Sequence, residues 1–294
     1  MTSHARPHII FGTAAFGTGS PLAKIQDEET AAPIIATLQA RNVTDVDTAR
    51  AYPVGSPGAA ERLLGELGVP TWANLSTKVN SWAPGTHTAE RTQQSVVQSL
   101  EALKTDKVDI MYLHAPDRLT PFEETCRAMD AEYRKGKFAR FGISNYTADE
   151  VEEIVSICEK HGFVKPIQLQ WAYSQEGSRR TRANSLDRDG TTTASGKIYH
   201  DAYYKPAVIA AAQTVADAGA AAGVSGHALA LRWTIYHSAL SREHGDAVLI
   251  GASSLSQLVQ NLDAVDAGPL NEELAKLVSN VGDLVGDEAA AYHV

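Results

Sequence analysis

Asp47 and Tyr52 lie five residues apart in the stretch DVDTARAY, residues 45–52. The first ends a strand-like run, VTDVDT (43–48), and the second falls in the loop after it. Lys78 stands near the end of NLSTKV (74–79), and His114 at the end of VDIMYLH (108–114). A strand end holds a side chain rigidly, and the loop beyond it faces outward, which is where barrel enzymes carry their chemistry. A Tyr, a Lys, an Asp and a His meeting on one such rim form an acid/base set. A free phenol has a pKa near ~10, too high for easy proton donation at neutral pH. An ammonium beside it stabilises the phenolate and lowers that value. A carboxylate holds the ammonium in place, and a histidine can aim a hydrogen bond at a carbonyl oxygen. Such a site could protonate an oxygen while a hydride arrives at carbon. Each residue alone also has a plainer role open to it: Asp47 as a turn cap, Tyr52 as a rim aromatic, Lys78 as a surface lysine, His114 as a packed core histidine.

The elements that must position these residues read as strand and helix in alternation. The apolar runs are HIIFG (8–12), VTDVDT (43–48), NLSTKV (74–79), VDIMYLH (108–114), ARFGIS (139–144), PIQLQW (166–171) and DAVLIGAS (246–253). Between them, Phe122, Cys126, Met129 and Tyr133 share a helical face, as do Val151, Ile154, Val155 and Cys158, and Leu229, Trp233, Tyr236 and Leu240. Repeated strand-then-helix means parallel strands with helical crossovers. For 294 residues the expected fold is α/β, a (β/α)8 TIM barrel forming a single domain over 1–294. Only seven strands are recognisable. Residues 174–204 are rich in Gly, Ser, Thr, Asp and Arg without apolar periodicity, and read as a long polar loop, so the barrel is expected to be incomplete. Helices resume at KPAVIAAAQTVADAGAAAG and SGHALALRWTIYHSAL, and two more follow the last strand, at SLSQLVQNLDAV and NEELAKLVSNVGDLV.

Bulk properties narrow the partners. The composition, 44% hydrophobic and 21% charged, suits an ordinary globular protein. A net charge of −9 argues against a nucleic-acid partner. Nothing approaches the ~20 apolar residues of a membrane span, and no leader or targeting signal is evident, so the expected location is cytoplasmic. Cys126 and Cys158 fall at apolar helical positions and read as reduced core thiols. No Cys/His spacing suggests a metal.

The motifs FGTAAFG, DVDTARAY, GAAERLLGEL, LSTKVN, VDIMYLHAPD, GKFARFGISNY, PIQLQ and LIGASSLSQLVQNL, in this order, resemble the aldo-keto reductase family. The resemblance covers nearly the whole chain except residues 174–200, and is closest to the aflatoxin-aldehyde reductase branch. It implies NADPH-dependent reduction of an aldehyde or ketone to an alcohol. Tyr52 would be the general acid, Lys78 would lower its pKa, Asp47 would pair with Lys78, and His114 would orient the carbonyl. Ser144, Asn145 and Gln170 would hold the nicotinamide carboxamide. Gly251, Ser253, Gln257 and Asn261 would hold the 2′-phosphate end. The last set also makes independent sense, since GASSLSQLVQN opens a helix with hydroxyls and free N–H groups, an anion site or simply a serine cap. Phe16, Trp82 and Tyr204 are candidate rings for the substrate pocket.

The family normally carries a helix, a seventh strand and a clamp loop after its sixth strand, and these are not recognisable here. Trp171 or Tyr173 could substitute as the ring stacking on the nicotinamide. A missing unit exposes strand edges, which a homodimer could cover. The alternative function is a non-redox lyase or isomerase, or a binding or regulatory protein, on the same barrel with weak or no cofactor binding. A Rossmann dehydrogenase is disfavoured, because Gly17 and Gly19 are followed by Leu22 where a third glycine belongs.

Overall fold

The structure is a computed structural model that describes residues 6–170 and 204–289. Trp171, Tyr173 and the polar segment 174–204, except Tyr204, lie outside the described residues. Seven strands form one sheet: β1 (His8–Gly12), β2 (Asp45–Asp47), β3 (Asn74–Val79), β4 (Val108–Leu113), β5 (Phe138–Ser144), β6 (Pro166–Gln170) and β7 (Ala247–Gly251). Their order is β6-β5-β4-β3-β2-β1-β7, and each neighbouring pair from β1 to β6 is parallel. The crossovers carry α1 (Glu28–Ala40), α2 (Ala59–Glu66), α3 (Ala89–Leu103), α4 (Phe122–Arg134) and α5 (Ala148–His161). Each of the seven expected strands is present, with ends within two residues of the apolar runs.

The described chain divides into two compact units. The first comprises residues 9–170 and 249–258. Its central strands β3 and β4 are buried almost throughout, as parallel strands covered on both faces must be. Capping boxes start two of its helices: Asp27 with Thr30 on α1, and Thr147 with Glu150 on α5. Register then fixes the site. Gly12 pairs with Asp47, Asp47 with Ser76, Lys78 with Tyr112, and Tyr112 with Gly142. Paired residues face the same way, and so do i and i+2 on one strand, so Asp47, Ser76, Lys78 and Tyr112 share one face of the sheet. Gly142 makes room on that face, since a Cβ there would run into the Tyr112 ring.

The second unit, residues 6–8, 204–248 and 259–289, is built from α6 (Pro206–Ala221), α7 (Gly226–Tyr236), most of α8 (Leu255–Asp266), α9 (Glu272–Ser279) and α10 (Val281–Val285). Its core gathers Val208, Val215, Leu229, Trp233, Leu270, Val278 and Val281, and the Trp233 indole N–H donates to Ser279 Oγ at 2.9 Å. The sequence predicts one helix over NEELAKLVSNVGDLV, whereas the structure has two. Asn280 ends α9 and begins α10, its N–H donating to the carbonyls of Lys276 and Leu277, which closes the first helix before the second starts. Cys126 and Cys158 are buried free thiols.

Candidate active site

Lys78 is only 1% exposed. An ammonium withdrawn from water persists only when paired and hydrogen-bonded. Its Nζ donates to Asp47 Oδ1 and, at 2.7 Å, to the Thr48 carbonyl. Burial pushes the Lys78 pKa down from its ordinary value, while Asp47, and further off Glu61, pull it back up. Asp47 is itself held: Ser76 Oγ donates to Oδ2 at 3.1 Å, and Thr13 Oγ1 to the Asp47 carbonyl at 2.9 Å. The ammonium lies 5.4 Å from the centroid of the Tyr52 ring and 5.7 Å from that of Tyr112.

Tyr52 rides on the loop between β2 and α2, and that loop is fastened. The Arg50 N–H donates to the Lys78 carbonyl, and the Ala60 N–H to the Tyr52 carbonyl. The Arg50 guanidinium donates to Glu61 Oε2 at 2.8 Å, and Thr77 Oγ1 to Glu61 Oε1 at 2.7 Å. Glu61 is completely buried. The signal for it was available: a carboxylate set among Ala60, Leu63 and Leu64 on a buried helical stretch requires a partner. Ser76 could likewise be found as the residue two before Lys78 on the same strand face.

A row of rings completes the cluster. The His114 ring is edge-on to Tyr52, with centroids 5.4 Å apart, and to Trp82, with centroids 5.1 Å apart. His114 is buried, and desolvation, helped by the charge on Lys78, lowers its pKa to about 3. The imidazole is therefore neutral at pH 7, able to donate one N–H and accept at the other nitrogen. Trp82 is 57% exposed and reaches solvent. Phe16, by contrast, is fully buried and packs edge-on against Phe11. Tyr204 is exposed and belongs to the second unit.

The residues expected to hold a cofactor fall into two groups in the first unit, with Asn261 in the second. Ser144 and Gln170 are register partners at the ends of β5 and β6, and the Asn145 N–H donates to the Gln170 carbonyl at 3.3 Å. Asn145 takes a left-handed backbone, φ 66°, which asparagine tolerates better than most residues. Its amide donates to the His114 carbonyl at 2.8 Å and to Ser144 Oγ at 3.1 Å, joining this group to the strand end that bears His114. Gly251 ends β7. Ser253 donates from its N–H and its hydroxyl to Gln257 Oε1 at 2.7 and 3.0 Å. The first turn of α8 has no acidic residue, and Ser254 and Ser256 are exposed there, a helix N-terminus whose charge suits an anionic phosphate once Gln257 releases Ser253. Asn261 is buried, its Oδ1 2.6 Å from His227 Nε2.

The aldo/keto reductase family matches residues 8–186. The chain is 31% identical to aflatoxin B1 aldehyde reductase member 4 of Homo sapiens, over 99% of this chain and 98% of that protein. It is 32% identical to the oxidoreductase sirO of Leptosphaeria maculans, over 97% of each. Among solved structures, a glycerol dehydrogenase from Gluconobacter oxydans superposes with a TM-score of 0.66 at 20% identity, covering 96% of each chain.

Proposed function

Because the chain belongs to the aldo/keto reductase family, whose members are oxidoreductases acting on carbonyl groups and alcohols, we propose that it reduces an aldehyde or ketone to an alcohol with NADPH. The observation that carries this reading is the buried Lys78 ammonium, held by Asp47 and set 5.4 Å from the Tyr52 ring centroid. Asp47 and Thr48 accept two of its three N–H bonds, and this reading assigns the third to the phenol oxygen. Tyr52 then gives its proton to the carbonyl oxygen, and the ammonium stabilises the phenolate left behind. Neutral His114 donates a hydrogen bond to the same oxygen and orients it. Trp82 walls the outer side of His114 and keeps water from the reacting carbonyl. Ser144, Asn145 and Gln170 would hold the carboxamide of the nicotinamide, and Gly251, Ser253 and Gln257 the phosphate at the adenosine end. When bound, NADPH supplies the hydride to the carbonyl carbon. The test is NADPH titration by tryptophan quenching, then turnover of an aldehyde panel. Saturable binding with turnover is the expected outcome, and no binding at millimolar NADPH would sink the reading.

A further inference from the structure

The loop after β3, residues 80–88, meets the site at Trp82, and it is tied down by buried polar side chains. Ser81 and His87, near its two ends, are both buried, with Ser81 Oγ 2.7 Å from His87 Nε2. Ser81 Oγ also lies 3.3 Å from the Val79 carbonyl. A carbonyl only accepts, so the hydroxyl donates to Val79 and accepts from His87 Nε2–H. His87 is thus chained through Ser81 to the residue after Lys78. Burial keeps that ring neutral, lowering its pKa to about 4, and leaves Nδ1 without a partner among the described residues.

The His87 main chain points elsewhere. Its N–H donates to Asp117 Oδ2 at 3.1 Å, across to the loop after β4. Asp117 lies three residues beyond His114 and also accepts from Thr120 Oγ1 at 2.7 Å and the Leu119 N–H at 3.2 Å. Burial alone would raise this carboxyl, but those bonds outweigh it and hold it below its ordinary value. The two loops joined here are the two that carry the facing rings of Trp82 and His114.

Given the reductase reading, we infer that Ser81, His87 and Asp117 are positioning residues that set Trp82 against His114 and so fix the width of the substrate mouth. They touch neither the reacting atoms nor the cofactor residues; they act through Trp82. Substrates broad enough to meet the indole feel the clasp, while small ones do not.

Steady-state kinetics of Ser81→Ala with a naphthaldehyde and with propanal test this. KM for the naphthaldehyde should rise about five- to tenfold, the effect of one lost positioning hydrogen bond, while KM for propanal stays within about twofold. Ser81→Thr, which keeps the hydroxyl, should restore the naphthaldehyde value. In a Trp82→Ala background, Ser81→Ala should add nothing, because the ring it acts through is gone. Equal loss on both aldehydes, or a full effect in the Trp82→Ala background, would overturn the inference and leave the clasp a stability device. A wild-type chain that binds NADPH but reduces no aldehyde refutes the reductase reading instead. In that case 19F NMR of fluorotryptophan-labelled protein still decides: the Trp82 resonance, assigned with Trp82→Phe, should shift or broaden in Ser81→Ala, and an unmoved resonance overturns the clasp.

Discussion

On the proposed mechanism, Tyr52 and Lys78 would divide one task between a group that gives up a proton and a group that makes the loss tolerable. Tyr52→Phe keeps the ring and its packing and removes only the proton. It should lower kcat by about 10²–10⁴-fold, the usual worth of a general acid, with the NADPH dissociation constant within about twofold of wild type. Stopped-flow binding and steady-state turnover separate the two. The buried histidines make a different claim. Folding holds His114 near 3 and His87 near 4, against ~6.5 in an unfolded chain. Between those values the unfolded chain binds the extra protons, so stability rises with pH and is lost as pH falls from about 6.5 toward 4 for His87 and toward 3 for His114. At pH 5 each histidine costs roughly 2 kcal/mol. Urea unfolding of wild type and His87→Gln at pH 7 and pH 5 checks this: the variant's loss between the two should be smaller by about that amount.

At the scale of elements, the loop from β2 to α2 is held by Glu61, and its fate should follow that residue. Glu61→Ala strands a largely buried guanidinium and the Thr77 hydroxyl together, so it should cost about 3–5 kcal/mol in denaturant unfolding. Gly142→Ala drives a methyl into the Tyr112 ring beside Lys78; overpacking of this kind costs about 1–3 kcal/mol, measured in the same way. Much of this layer is legible in the sequence. The central strands β3 and β4 announce themselves because they are buried on both faces; β6 and β7, at the sheet edges, are partly exposed and are legible from their short apolar runs and their place in the strand–helix alternation. Asp47, Tyr52, Lys78 and His114 are legible because strand ends share a rim. For Glu61 and Ser76 the sequence signals only that a buried carboxylate needs a partner and that Ser76 shares the face of Lys78; their partners, and the Ser81–His87–Asp117 clasp, are not legible, because they lie between 6 and 30 residues away and only register and loop closure bring them together. The split at Asn280 was hidden for the opposite reason: its cause is a local backbone turn inside a pattern whose apolar period continues past it.

For the molecule as a whole, the fold is that of an aldo-keto reductase barrel, with seven strands among the described residues and β6 and β7 at the two edges of the sheet. The chain carries nine more acidic than basic charges, 35 against 26. Around the sheet of the first unit the charges come in pairs, Lys78 answering Asp47 and Arg50 answering Glu61. Parity follows from this. Surface charge can drift by one residue at a time, since water screens each change. These four paired ions can be rewritten only in twos. Lys78→Met alone should lower the melting temperature more than Lys78→Met combined with Asp47→Asn, although both abolish the same ammonium. An odd-numbered change there is a folding lesion before it is a catalytic one, so lineages that abandon the chemistry would have to lose these charges as couples.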